Sequence, residues 1–342
     1  MARLWSDGAE MGDLEFWDYV NPYNMISAVQ VPIPIGGEWC YKGAYLGAWK
    51  LTGTPLAEFY LRYRLRVHNI DQASAARMLG WRCDTEELGF FSIDALKRFC
   101  VYRGAGINPV EVANAGITIA EDTWYLIEIH VLLDDLAGRY EVFIDGVQYI
   151  DYTGDTIPAA CGTADNIYWS GNGYCTIYLD DLALNDTTGL SDNTWCGDGI
   201  VVKMYPDGNG AHNNWTNSVG TSVNNFLYVD DFPNDGDLTY VYQDGSSAGV
   251  QDQYTLNDLD YTNKTVLRIW PEARVRKSSP DGSTLKLGIL PSGGVDTMSA
   301  AKSLVVDHYD RVIGDEYKTN PVDSLPWEEL DLDSLQVIAE IG

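Results

Sequence analysis

Apolar and polar residues alternate most regularly between Thr123 and Tyr152. In the segment TWYLIEIHVLL, Tyr125, Ile127, Ile129, Val131 and Leu133 share one face. Trp124, Leu126, Glu128 and His130 take the other, and a period of two predicts a half-buried strand. Asp134-Asp135-Leu136-Ala137-Gly138 is a turn cluster, after which Tyr140, Val142 and Ile144 oppose Glu141 and Phe143. Asp145-Gly146 is a two-residue hairpin signal, because Gly accepts the positive φ that the turn needs. Val147–Asp151 returns as the third strand of a meander.

The same pattern recurs on both sides. Phe59, Leu61, Tyr63, Leu65 and Val67 alternate with Tyr60, Arg62, Arg64, Arg66 and His68, giving one apolar and one basic face. Acids on neighbouring strands are the expected partners of those arginines. Arg77–Cys83, Gly89–Ile93, Arg98–Arg103, Val110–Ala120, Asn166–Ser170 and Cys175–Asn185 read as further strands. Thr187–Gly199, TTGLSDNTWCGDG, is small, polar and Gly-rich, and marks a boundary. A second strand series follows: Ile200–Tyr205, Phe226–Val229, Thr239–Gln243, Thr265–Arg276, Leu285–Ile289 and Ser303–Tyr309. A short capped helical turn at Pro326–Leu330 and a strand over Leu335–Ile341 close the chain. The expected fold is all-β, with an N-terminal jelly-roll sandwich over 1–190 and a second β-sandwich over 197–342.

Composition narrows the chemistry. A chain of 342 residues has room for two domains. Its net charge of −28 repels nucleic acid and anionic membrane surfaces. Between Arg139 and Lys264 the sole basic residue is Lys203, against 19 acids of which 18 are Asp. The start, MARLWSDGAEMGDLEF, lacks the basic and apolar regions of a signal peptide, and no run is apolar enough to span a membrane. Cys40, Cys83, Cys100, Cys161, Cys175 and Cys196 include no CxxC pair, so reduced thiols are expected, with Cys161–Cys175 as the pair that an oxidising exterior would close.

Jelly-roll glucanases need carboxylates at alternating positions of one strand, so that nucleophile and acid face one groove. Glu128 has no such partner, and Glu86-Glu87 are adjacent and point apart on a strand. His68, His130, His212 and His308 are scattered and form no metal or nucleophile motif. No catalytic residue is expected. Trp169, Tyr174, Trp195 and Trp215 lie in or near Gly- and Asn-rich loops, where rings either stack on sugars or simply pack. Asp230, Asp231, Asp235 and Asp237, in YVDDFPNDGDLTY, are oxygen-rich enough for calcium, the sole cofactor candidate, although Pro233-Asn234-Asp235-Gly236 is equally a plain turn.

The meander with the later strand IYLDDLALND resembles the laminin G-like or concanavalin A-like jelly roll over residues 1–190. That fold hosts lectins, enzymes and structural modules, so it names no function. The stretches WCGDGIVVKMYPDGNG, FLYVDDFPNDGDLTYVYQD and NPVDSLPWEELDLDSLQVIAEIG resemble structural proteins of tailed bacteriophages. The close departs from the group's usual form at Asp323-Ser324 and lacks a Gly after Leu335. The resemblance implies a non-enzymatic virion component of head or tail, such as a capsid decoration. It would be made in the host cytoplasm and oligomerise with itself or other virion proteins. The alternative is an adhesin that binds a host-surface glycan through the jelly-roll face.

Overall fold

A computed structural model of the chain describes residues 3–21, 26–30, 37–45, 47–70, 76–104, 109–158, 161–169, 172–231, 233–244, 248–259 and 264–342, apart from the side chains at 44, 45, 76 and 172–174. The chain forms two compact units, Met1–Val202 and Lys203–Gly342.

The first unit is a sandwich of two antiparallel sheets. Its strands are β1 (Arg3–Asp7), β2 (Tyr19–Val20), β3 (Ser27–Val29), β4 (Cys40–Tyr45), β5 (Ala48–Leu56), β6 (Glu58–His68), β7 (Ala76–Cys83) and β8 (Glu86–Ile93). They continue through β9 (Arg98–Arg103), β10 (Val110–Thr118), β11 (Trp124–Leu132), β12 (Gly138–Ile144), β13 (Val147–Gly154), β14 (Ala164–Trp169) and β15 (Asn172–Asp186). One sheet has eight strands in the order β13-β12-β11-β6-β15-β4-β3, with β1 also paired to β15. The other has seven, β10-β9-β8-β7-β14-β5-β2. The meander forms as its alternation predicts: Ile127, Ile129, Val131, Tyr140, Val142 and Ile144 all enter the shared core. Leu61, Tyr63, Leu65 and Val67 of β6 meet them there, against Trp81, Phe91, Phe99, Ile167 and Trp169 from the seven-stranded sheet. This is the jelly-roll sandwich expected from the sequence, built by alternate residues of two facing sheets.

The second unit is also β-rich. Its elements are β16 (Pro206–Asn213), β17 (Thr216–Asn217), β18 (Val241–Tyr242), β19 (Gln251–Leu256), β20 (Glu272–Arg276), β21 (Thr284–Leu290), β22 (Thr297–Met298), β23 (Lys302–Ser303), β24 (Tyr309–Ile313), α1 (Glu329–Leu332) and β25 (Gln336–Ile341). A six-stranded sheet runs β16-β19-β25-β21-β22 with β23 on β21, and β17-β18 and β20-β24 form two-stranded pairs. Two small apolar clusters, around Leu285 and Leu287 and around Trp327 and Leu335, serve as its core.

Several expectations shift. Residues 200–205 form no strand, and β16 begins at Pro206 instead. Asn225–Tyr228 is a 3-10 turn rather than a strand. Asn225 is buried there, and its side-chain amide donates to the Trp215 carbonyl and to Asp252 Oδ2, which ties the turn to the neighbouring strands. Of Thr265–Arg276, Glu272–Arg276 alone is a named strand. The helical turn lies three residues late, where Glu328 and Asp331 form a capping box.

The thiols also depart from expectation. Cys83, at the end of β7, is disulfide-bonded to Cys161, and their Cα atoms are 6.4 Å apart. Cys175 stays free and buried against the core, so the Cys161–Cys175 pair does not form. No helix among the described residues is long and apolar enough to cross a membrane.

Candidate functional site

The outer faces of the sandwich differ. On the eight-stranded sheet, β6 presents Tyr60, Arg62, Arg64, Arg66 and His68 away from the core, as its alternation requires. Their charges are met locally. Arg64 pairs with buried Asp181 at 3.1 Å and with Asp198 at 2.6 Å, and Arg66 pairs with Asp122 at 2.7 Å. His130 lies between Glu58 and Glu141, at 2.8 and 2.6 Å.

Residues 194–201, which overlap the boundary that composition marks at Thr187–Gly199, are fastened across this face. Asn185 donates to the Thr194 carbonyl, Arg62 to the Gly197 carbonyl, and the Gly197 amide to Glu128. The Val201 amide donates to Asp181 at 2.6 Å. Trp195 covers the rings beneath edge-on, 4.8 Å from Phe143, 5.3 Å from Tyr60 and 6.0 Å from His130. The polar groups that make this stretch read as a boundary are those that a basic sheet face binds, and the first unit extends to Val202.

The seven-stranded sheet carries a different outer face. Reading its hydrogen-bonded partners strand by strand, Tyr19 on β2 lies opposite Trp49 on β5, and Trp49 opposite Tyr168 on β14. Tyr168 lies opposite Gly80 on β7, Gly80 opposite Phe90 on β8, Phe90 opposite Tyr102 on β9, and Tyr102 opposite Glu111 on β10. The flanking residues Ala48, Leu79, Trp81, Phe91, Val101, Ile167 and Trp169 belong to the core, so the row faces outward. Five aromatic rings thus cross the sheet at one level. At the usual spacing of neighbouring strands the row from Tyr19 to Tyr102 is about 24 Å long.

The row is dressed with cations. Arg82 stacks 3.9 Å over the Tyr168 ring, and Arg77 lies 4.5 Å over Phe90 and reaches Glu87 at 3.0 and 3.2 Å. Tyr168 donates its hydroxyl to the same Glu87 carboxylate. Burial lowers the Arg82 pKa, opposed by the nearby Glu87 charge. Gly80 is needed at the centre, because a Cβ there would run into the Tyr168 ring. Tyr168 and Phe90 are 1% and 2% exposed beneath these neighbours. The accessible rings are therefore at the ends: Tyr19 is 39% exposed and stacks on Trp49 at 3.8 Å, while Tyr102 stacks on Phe90 at 4.9 Å.

None of the four aromatics picked from the sequence belongs to this row. Trp169 is 1% exposed, one residue beyond Tyr168 and hence on the core face. Trp215 is 8% exposed and donates its indole N–H to the Val250 carbonyl. Trp195 packs over the other sheet, and the Tyr174 side chain lies outside the described residues. Neither buried indole offers a face to a sugar. The signal that would have found the row was parity: Tyr168 alternates with Ile167 and Trp169, and a slip of one residue exchanges the two faces.

Among the described residues, Asp230, Asp231, Asp235 and Asp237 are not brought together as a group. Thr239 Oγ1 donates to Asp231 at 2.5 Å and to Asp235 at 2.8 Å, whereas Asp237 is held by Arg276 at 3.0 Å and by the Tyr309 hydroxyl. Burial pushes the Asp230 carboxyl up, which opposes the charged form a cation needs. Among the described residues, Asp94, Cys100 and Glu111 do bring ligand atoms within 4.8 Å of one another. That cluster is already engaged: Asp94 accepts from Arg98 and from the Leu96 amide, Glu111 accepts from Tyr102 and Asn114, and burial pushes the Cys100 thiol up to about 12.

No protein-family model matches the chain. No curated protein matches it either. Among solved structures, it is similar to an endo-β-1,4-glucuronan lyase of the fungus Trichoderma reesei, with 14% identity over 54% of this chain and 96% of that one, at a TM-score of 0.44. Cellulose induced protein Cip1 gives 13% identity over 57% of this chain and 100% of that one, at 0.45. The carbohydrate-binding module CBM66 of Bacillus subtilis gives 11% identity over 43% of this chain and 86% of that one, at 0.32. Identities this low say nothing of activity.

Proposed function

We propose that this chain is a non-catalytic glycan-binding protein that lays a sugar chain along the outer face of its seven-stranded sheet. The observation that supports it is the aromatic row from Tyr19 to Tyr102, flanked by Arg77 and Arg82. Pyranose rings present flat apolar C–H faces that pack on aromatic faces, and guanidinium N–H groups donate to hydroxyls and carboxylates. The accessible rings stand at the two ends of a row of about 24 Å, a span that an extended oligosaccharide bridges and a single sugar does not. The buried carboxylate on this face, Glu87, is tied to Arg77 and Tyr168, which suits a binding floor.

A glycan array with the full chain tests this reading, followed by titration of the best hit. Trp49→Ala is expected to weaken binding about tenfold, the loss of one stacking contact. A flat array sinks the proposal, as does release of reducing or unsaturated ends from the bound glycan, which would mean turnover.

A second reading concerns the setting. The similarity of the second-unit stretches to tailed-phage structural proteins supports a virion component that assembles with copies of itself or other particle proteins. Peptide mass spectrometry of purified particles tests it. Absence of the chain from particles removes that setting without touching the glycan-binding face.

A further inference from the structure

One cation on the ring-bearing face has no acid. Among the described residues, no hydrogen bond or ion pair reaches the Arg82 guanidinium, and its Nε is buried with no partner. Every other arginine of the chain reaches an oxygen of the protein. Glu87, the carboxylate whose charge Arg82 feels, is held by Arg77 and by the Tyr168 hydroxyl. Burial works against the charge of Arg82, and an anion brought to it would replace the solvation that it has lost.

The position of this charge is specific. Arg82 stands two residues beyond Gly80 on β7, and its side chain folds back to stack 3.9 Å over Tyr168. The guanidinium is therefore on the aromatic row, between the accessible ends. In sheet order β7 lies three strand spacings, about 14 Å, from β2 with Tyr19, and two, about 10 Å, from β9 with Tyr102. A sugar chain that bridges both end rings must pass Arg82. Stacking on the ring holds the guanidinium plane along the sheet, so its terminal N–H groups form a fork that a planar carboxylate meets with two hydrogen bonds. A sugar hydroxyl brings no charge to that fork.

The acids nearby limit how much charge the ligand can carry. Glu111 is exposed opposite Tyr102 and accepts its hydroxyl at 3.1 Å. Asp84 and Glu86 are exposed around the turn that follows Arg82 and Cys83. Arg77 is already paired with Glu87. A glycan with a carboxylate on every sugar would gain one ion pair at Arg82 and meet like charge along the rest of the row, on a chain with a net charge of −28. Resting on the glycan-binding reading of this face, we infer that its ligand is a mainly neutral sugar chain with isolated carboxylated sugars, one of which pairs with Arg82. The end rings take neutral sugars, and Arg82 sets the specificity between them.

The test is a glycan array that carries neutral, singly carboxylated, singly sulfated and fully uronated oligosaccharides of equal length, probed with the full chain. A singly carboxylated glycan is expected to rank first. Titration then compares that glycan with the same glycan after its carboxyl group is reduced to the alcohol, and the acid is expected to bind about tenfold tighter or more. Arg82→Gln is expected to bring the two forms within about twofold, whereas Trp49→Ala weakens both about tenfold and keeps their ratio. A neutral, sulfated or fully uronated glycan in first place overturns the inference and leaves the glycan-binding reading standing. So does equal affinity for the acid and its reduced form, or a preference for the acid that survives Arg82→Gln. A flat array removes both readings. If Arg82→Gln fails to fold, the wild-type ratio of acid to reduced form decides, and it should fall as salt rises from about 50 to about 500 mM.

Discussion

The two outer faces of the first unit are built by the same alternation and end up with opposite roles. On the eight-stranded sheet the outward residues of β6 are cations, and the chain closes over them with its own residues 194–201. On the seven-stranded sheet the outward residues are rings, and the polar groups beside them, Arg77 and Arg82, lie flat upon those rings. Charges buried in a sheet face need specific partners, whereas rings need none along their faces. A face of cations is thus completed within the chain, while a face of rings with accessible ends is left to meet something else.

The largest expected effect comes from breaking the closed face. Arg64 holds Asp181, which is fully buried, and Asp198 on the overlying segment. Arg64→Ala leaves Asp181 with the Val201 amide and the more distant Arg62 charge, and should cost about 3–5 kcal/mol in chemical denaturation, as removal of one partner of a buried pair does. Burial already pushes the Asp181 carboxyl up against the pull of that amide and those guanidiniums. A loss below about 1 kcal/mol would mean the pair behaves as a surface pair, and the contrast between the faces would fail.

On the ring-bearing sheet the covalent tie comes next. Cys83 ends β7 directly after Arg82, and its bond to Cys161 closes a loop with a sequence separation of 78. Cys83→Ser should cost about 2–5 kcal/mol and move the Arg82 end of the row, lowering glycan affinity as well as stability. The reduced wild type should behave alike. Gly80→Ala is smaller: a Cβ pressed against Tyr168 should cost about 1–3 kcal/mol, and near-ultraviolet circular dichroism should report the displaced ring. If Gly80→Ala leaves both spectrum and affinity unchanged, the row is not a fitted surface.

How much of this was legible in the sequence depended on where period-two alternation survives. The meander and β6 were readable because each buries one complete face in a large core, so every second residue is apolar. The row was not readable, because Tyr168 and Phe90 sit directly beside Trp169 and Phe91, so that neighbouring positions on opposite faces are both aromatic and parity is lost. Trp169 was picked for its indole, although Tyr168 faces out. The second unit was harder still: its apolar clusters are small, and polar groups such as Asn217, Asn225 and Asp252 are fully buried in their place. The attachment of residues 194–201 to the first unit was not legible for a related reason. A polar, Gly-rich stretch reads as a boundary unless one knows that Arg62, Arg64 and Glu128 are waiting for its backbone and for Asp198.

The smallest effect in stability is the sharpest reporter of the contrast. Cys196 lies within the overlying segment, and Cys100 on the outer side of β9. Burial pushes the Cys196 thiol up to about 11, opposed by Arg3 and Arg62, and the Cys100 thiol up to about 12, helped by Glu111 and Asp94. Raised thiol values mean the neutral, unreactive form persists well above neutrality. At pH 8 the thiolate fraction would be about one in a thousand for Cys196 and one in ten thousand for Cys100, and alkylation should climb roughly tenfold per pH unit below those values. In the wild type both should label slowly with iodoacetamide at pH 8. In Arg64→Ala the segment over the cationic face loosens, so Cys196 should label faster by about tenfold or more while Cys100 keeps its wild-type rate. Equal acceleration at both positions would mean that the substitution unfolds the sandwich as a whole, and that the closed face is no separate element.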